Sequence, residues 1–211
     1  MGLEYVTKKE LKPKKSEFIS KTKNFRVKNG YRFNFYLVGS SKRNLVLAHK
    51  DKKFDIDYQL RITNSNKEEP KKIKDYFFNL FQNAFSSNEG WDCDNSTSVI
   101  TVKKTSENGN VEFSYDIAIC KINQNTNKLN IIKRINGDYL WEEIGDYSEH
   151  TGRLRNIKGN NWNKVRHKYK TKKNDNLKQK NENQKKSFII FIETIKEVYD
   201  DLASSSNKEN D

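Results

Sequence analysis

Residues 54–62, Phe-Asp-Ile-Asp-Tyr-Gln-Leu-Arg-Ile, alternate without a break between apolar and polar side chains. A period of two specifies a strand with one buried face. Phe54, Ile56, Tyr58, Leu60 and Ile62 take that face, and Asp55, Asp57, Gln59 and Arg61 take the other. Asp55 and Asp57 then point the same way, about 7 Å apart along the strand. Carboxylates side by side repel each other unless a cation lies between them, and a divalent metal ion is the usual cation. Taken alone, Asp-x-Asp also suits a solvated sheet edge, so the remaining sequence has to decide.

The 211 residues suffice for one good-sized domain, or for one domain with a helical appendage. An apolar fraction of 33% is low, but 12 Phe and 10 Tyr can fill a core. Residues 31–38 alternate and are aromatic-rich, predicting a strand that runs directly into a loop, Gly39-Ser40-Ser41-Lys42-Arg43-Asn44. Residues 98–104 and 111–122 read as two strands about a turn at Asn108-Gly109, and 129–135 as another. In the 111–122 strand, Val111, Phe113, Tyr115, Ile117 and Ile119 share one face. Asp116 falls on the other, with Glu112, Ser114, Ala118 and Cys120.

Helices are expected at 67–86, opened by Glu68, Glu69 and Pro70, and from Ser187, which caps a closing helix. Ile73, Phe77, Leu80, Phe81 and Ala84 give the first of these an apolar face directed at the sheet. Residues 1–29 predict a short helix or two, with Pro13 interrupting any long one, ending in a turn at Asn29-Gly30. Beyond Gly137, around Tyr139, Trp141 and Trp162, the pattern weakens to short helices and a loop. The Lys/Asn/Gln run at 168–186 reads as a solvated loop and 204–211 as a disordered tail. The expected architecture is therefore α+β: a core over 1–137 and a short C-terminal helical region over 138–211.

No apolar run reaches the roughly 18 residues of a membrane span, and the first residues lack the apolar core of a secretory signal. Cys93 and Cys120 stand far apart and support neither a disulfide framework nor a zinc site. A cytoplasmic chain without membrane association is the expectation. The net charge of +13 favours polyanionic partners. Lysine supplies most of it, however, since only 8 of the 41 basic residues are Arg, as an AT-rich coding sequence would write on any surface.

Set in order, Val38-Gly39-Ser40, a spacer of fourteen residues, Asp55-Ile56-Asp57-Tyr58 and then Tyr115-Asp116-Ile117 resemble the DNA-polymerase-β-like nucleotidyltransferases. Within that superfamily, Gly39-Ser40-Ser41-Lys42-Arg43-Asn44 is similar to the opening of oligoadenylate synthetase and the bacterial cyclic-oligonucleotide synthases. Val165-Arg166-His167-Lys168-Tyr169 resembles, more loosely, their helix that ends in a phosphate-contacting Lys. Ser187-Phe188 resembles the Ser-Tyr that opens a later helix of theirs.

The resemblance implies a mixed or antiparallel palm sheet flanked by helices, and a two-ion Mg²⁺ or Mn²⁺ site held by Asp55, Asp57 and Asp116. It implies that Asp55 and Asp57 bridge both ions, that Asp116 faces the acceptor hydroxyl, and that Gly39, Ser40, Ser41, Lys42 and Lys168 contact nucleotide phosphates. Such chemistry suits the acids, because in-line displacement at a phosphate is clamped by two hard cations with oxygen ligands.

The expected function is transfer of NMP from an NTP to a hydroxyl of a nucleotide, as in an oligonucleotide second-messenger synthase of the phage-defence type. One alternative is a minimal nucleotidyltransferase that modifies tRNA, other RNA or a partner protein, as in toxin–antitoxin pairs. Another is a non-catalytic basic module binding RNA or DNA. The partners to expect are thus an NTP, with RNA or DNA as acceptor or activator.

Overall fold

In the computed structural model, which describes residues 2–27, 30–49, 53–64, 69–145, 148–157, 159 and 161–207, the alternating segment is a strand inside a seven-stranded sheet. In chain order the elements begin β1 (Glu4–Tyr5), α1 (Lys8–Thr22), β2 (Phe33–Leu37), α2 (Gly39–Arg43), β3 (Leu47–Ala48), β4 (Phe54–Ile62) and α3 (Pro70–Ala84). They continue with β5 (Trp91–Asn95), β6 (Val99–Thr105), β7 (Val111–Ile122), β8 (Leu129–Ile135) and β9 (Asp138–Glu143). The helices α4 (Ser148–Asn156), α5 (Asn161–Leu177) and α6 (Ser187–Asn207) close the chain.

The main sheet runs β2-β4-β7-β6-β5, with β8 pairing the far end of β7 and β9 pairing β8. Only β4 and β7 are parallel; the other pairs are antiparallel. A parallel pair cannot be joined by a hairpin, and here α3, β5 and β6 make the crossover.

The buried face of β4 meets the helices. Phe18 of α1 stacks on Tyr58, with ring centroids 4.0 Å apart, and touches Phe81 and Phe85 at the end of α3. Tyr115 of β7 joins this aromatic core, and its hydroxyl donates to the Lys14 carbonyl at 2.6 Å. The helices α1 and α3 therefore cover one face of the β2-β4-β7 sheet and leave the Asp55/Asp57 face opposite them.

The chain divides into two compact units, residues 5–144 and residues 1–4 with 145–211. Asp138–Glu143 is a strand, not short helices, because Tyr139 and Trp141 pack against the core while hydrogen bonding to β8 completes the sheet. Pro13 does not break α1. Thr7 and Glu10 form a reciprocal capping box, and the buried Leu11 and Phe18 anchor the helix on either side of the proline.

Residues 39–43 form one helical turn where a loop was expected. The run 168–186 is helical as far as Leu177, with Val165, Tyr169 and Asn176 buried. In this second unit Tyr169 meets Phe191 of α6, and Asn176 bonds Lys185 in both directions, so tertiary contacts supply what periodicity lacks. The expected tail is likewise helical through Asn207. Asn29 of the expected turn, Lys67 and Glu68 of the expected helix start and residues 208–211 lie outside the described residues.

Candidate active site

The parallel register pairs Asp57 with Asp116 and Asp55 with Ser114. Adjacent strands lie about 4.8 Å apart, so three carboxylates from two strands share one patch on the face opposite α1 and α3. Each has a local partner. Ser114 donates its hydroxyl to Asp55. Thr101 of β6, opposite Asp116 in the register, donates to Asp116 Oδ1 at 2.7 Å. The backbone N–H of Ser40 donates to Asp57. Lys103, two residues along β6, is ion-paired with Asp94 of β5.

The electrostatics record the crowding. Burial, then the Asp116 and Asp55 carboxylates, push the Asp57 carboxyl up to about 6 against the pull of backbone N–H groups. Burial also raises Asp116, and Asp55 adds to the rise. The Thr101 hydroxyl and the Lys103 charge work in the other direction. Raised carboxyls gathered on a half-buried surface mark a place where added positive charge is favourable.

Gly39 is fixed by this arrangement. Its φ is +60°, and a Cβ there would stand 2.2 Å from Asp57 Oδ2 and 2.8 Å from its Cγ. A left-handed backbone and the absence of a side chain are both needed. The turn is held from below, where Val38 N–H bonds the Asp57 carbonyl at 3.0 Å. The Ser41 hydroxyl bonds the Val38 carbonyl at 3.1 Å, and Asn44 closes the helical turn in the left-handed region.

The structure thus brings Gly39, Ser40, Asp55, Asp57 and Asp116 together. Ser41 is buried beneath the turn and Lys42 is exposed on it. Lys168 belongs to the other unit, where its ammonium is bound to Asp201 at 2.8 Å and lies 3.6 Å from Glu197.

Two contributors escaped the sequence reading, Thr101 and Ser114. Ser114 could have been found, since it lies two residues before Asp116 and so on the same face. Thr101 required the β6–β7 register.

Among the described residues, no three carboxylate, imidazole or thiol side chains converge tightly enough to enclose an ion. The donor set still fits a divalent cation: hard oxygen ligands, in register, with two of the three carboxyls raised by burial and mutual repulsion. Asp55 and Asp116 each spend one oxygen on a neighbouring hydroxyl and keep the other.

Fold and sheet together define a class by architecture: the fold is one that solved cyclic dinucleotide synthases share. Particular solved structures share it. A cyclic dinucleotide synthase from Elizabethkingia meningoseptica, CdnE with GTP and Apcpp, is similar with a TM-score of 0.58 and 16% identity. The match covers 86% of this chain and 67% of that one. Vibrio cholerae DncV, a cyclic AMP-GMP synthase in complex with nonhydrolyzable GTP, gives a TM-score of 0.52 at 14% identity, covering 72% and 45%. The chain spans less than half the length of DncV. No protein-family description matches the sequence, and no curated protein does. None of the described helices is long and apolar enough to cross a membrane.

Proposed function

We propose that the protein is a metal-dependent nucleotidyltransferase that moves NMP from an NTP to a hydroxyl of a nucleotide and releases pyrophosphate. The observation that carries this reading is the register of Asp57 with Asp116, with Asp55 alongside and the Gly39 turn packed directly on Asp57.

In this reading Asp55, Asp57 and Asp116 hold divalent cations, Mg²⁺ or Mn²⁺. When bound, these ions neutralise phosphate oxygens and polarise the phosphorus for in-line attack. The chain's own groups orient the reactants. Gly39 lets the backbone approach the triphosphate closely, and Ser40 and Lys42 present a hydroxyl and an ammonium to its oxygens. Ser41 acts indirectly by holding the turn. Thr101 and Ser114 fix one oxygen of Asp116 and of Asp55, which leaves the other oxygen of each directed to the cation.

The solved structures that share the fold include cyclic dinucleotide synthases, which supports a second-messenger product; a role in phage defence and a cytoplasmic setting are proposed along with it. The +13 charge also suits RNA as acceptor.

Thermal melting tests the site. NTP with Mn²⁺ raises the melting temperature of the wild type, while neither alone matches the pair and Asp57→Asn abolishes the shift. An equal shift in Asp57→Asn would remove the acids from the site.

A further inference from the structure

The face that carries the acids also carries a second organised group, one step along β4. The guanidinium of Arg61 lies over the Tyr36 ring, 4.4 Å from its centroid. Its Nε and Nη2 both donate to Gln59 Oε1, at 3.0 and 2.7 Å. Tyr36 stands opposite Gln59 in the β2–β4 register, on the edge strand, and is 42% exposed.

Bonded to the residue two positions before it, Arg61 is drawn back along the strand toward Asp57. Its charge sits over the Tyr36/Gln59 row, about 7 Å from the Asp57/Asp116 row. That separation is on the scale of one sugar-phosphate unit.

Among the described residues, no carboxylate is ion-paired with Arg61. A guanidinium has five N–H donors in a fixed fork. Gln59 occupies one edge, and the Nη1/Nη2 edge is left for a ligand. Stacking and the amide together fix the orientation of that edge, which is the arrangement that recognises phosphate bidentately.

The side on which it lies identifies the ligand. The Gly39 turn leaves β2 at Val38, beside Asp57 and past the end of the β2–β4 pairing, whereas Arg61 lies on the other side of Asp57, within that pairing. Donor phosphates and a phosphate at Arg61 would therefore flank the acids from opposite sides. We infer that Arg61, braced by Tyr36 and Gln59, binds the 5′-phosphate of the acceptor nucleotide while the acceptor's 3′-hydroxyl lies at the acids. This assignment rests on the nucleotidyl-transfer reading.

The test compares equilibrium binding of the mononucleotide 5′-AMP with that of adenosine, which lacks the 5′-phosphate. Wild type and Asp57→Asn both prefer 5′-AMP by about tenfold or more, as a charge-assisted bidentate contact warrants. The preference falls to within about twofold in Arg61→Lys, which keeps the charge but loses the fork. It falls likewise in Gln59→Glu, where a carboxylate engages the guanidinium.

Both substitutions are close in shape, and circular dichroism confirms their folding. No preference in the wild type, or an undiminished one in both variants, overturns the assignment. Labelled-NTP incorporation by the same preparations separates the two ideas. Arg61-dependent preference without incorporation removes the reaction and keeps the phosphate site. Incorporation with an Arg61-independent preference does the reverse.

Discussion

Gly39 and Asp57 occupy each other's space, and that makes the turn and the acid a single device. In Gly39→Ala the added methyl meets the carboxylate at 2.2 Å and the backbone must hold a positive φ. The backbone alone costs about 1–2 kcal/mol, and the carboxylate is pushed out of line. The expected result is a melting temperature lowered by several degrees and NTP affinity in Mn²⁺ down by tenfold or more, read by calorimetry.

Asp57 itself carries a pH signature. Its folded pKa of about 6 stands above the ordinary 3.8. Well below pH 3.8 both folded and unfolded chains are protonated and nothing is lost. As pH rises from 4 to 6 the unfolded chain ionises first, so folding loses up to about 3 kcal/mol. In metal-free buffer, urea titrations should show the wild type losing stability relative to Asp57→Asn across that window, with the gap constant above it. Saturating Mn²⁺ should close the gap, because it favours the ionised folded form.

At the scale of elements, α3 does more than cover the sheet. Lys74 is buried on it, with its ammonium donating to the Ser96 carbonyl at 2.6 Å and lying 5.0 Å from the Tyr139 ring. Burial, helped by Arg134, lowers its pKa to about 8. The charged form is the disfavoured one in the fold. Stability should therefore rise with pH between about 8 and 10.5 relative to Lys74→Met, by roughly 2–3 kcal/mol. Denaturant melts at pH 7 and pH 10.5 measure it.

The strands β2, β4 and β7 were legible in the sequence because their apolar residues alternate, and the acids came with the last two. The strand β5 was not, since Trp91-Asp92-Cys93-Asp94-Asn95 offers only two apolar side chains and is held by its pairing to β6. Pro13 misled because local propensity ignores what Leu11 and Phe18 gain by burial. In the candidate site, Asp55, Asp57, Asp116 and Gly39 could be named from order and spacing. Thr101 and the Arg61–Gln59–Tyr36 group could not, because each depends on a cross-strand register that no single segment encodes.

For the whole molecule, the +13 charge has to be weighed against its pairing. Many lysines already face carboxylates, as in Lys128–Glu143, Lys133–Glu142 and Lys185–Glu193, and exposed pairs of this kind contribute little to stability. Polyanion binding by such a surface is electrostatic and independent of the acids. Retention on immobilised RNA should fall steeply between 50 and 200 mM salt, about equally for wild type and Asp57→Asn. A difference between them would tie RNA to the acid patch itself.

Catalysis is where the enzyme and the binding module part. The most direct measurement is incorporation of α-labelled NTP, with Mg²⁺ or Mn²⁺, by wild type, Asp57→Asn and Asp116→Asn, each checked for folding. The account predicts labelled product with the wild type and a loss of at least about a hundredfold in both variants, of the order reported for groups that act in the transition state. Undiminished incorporation in either folded variant, or none by the wild type with any of the four NTPs, would contradict it.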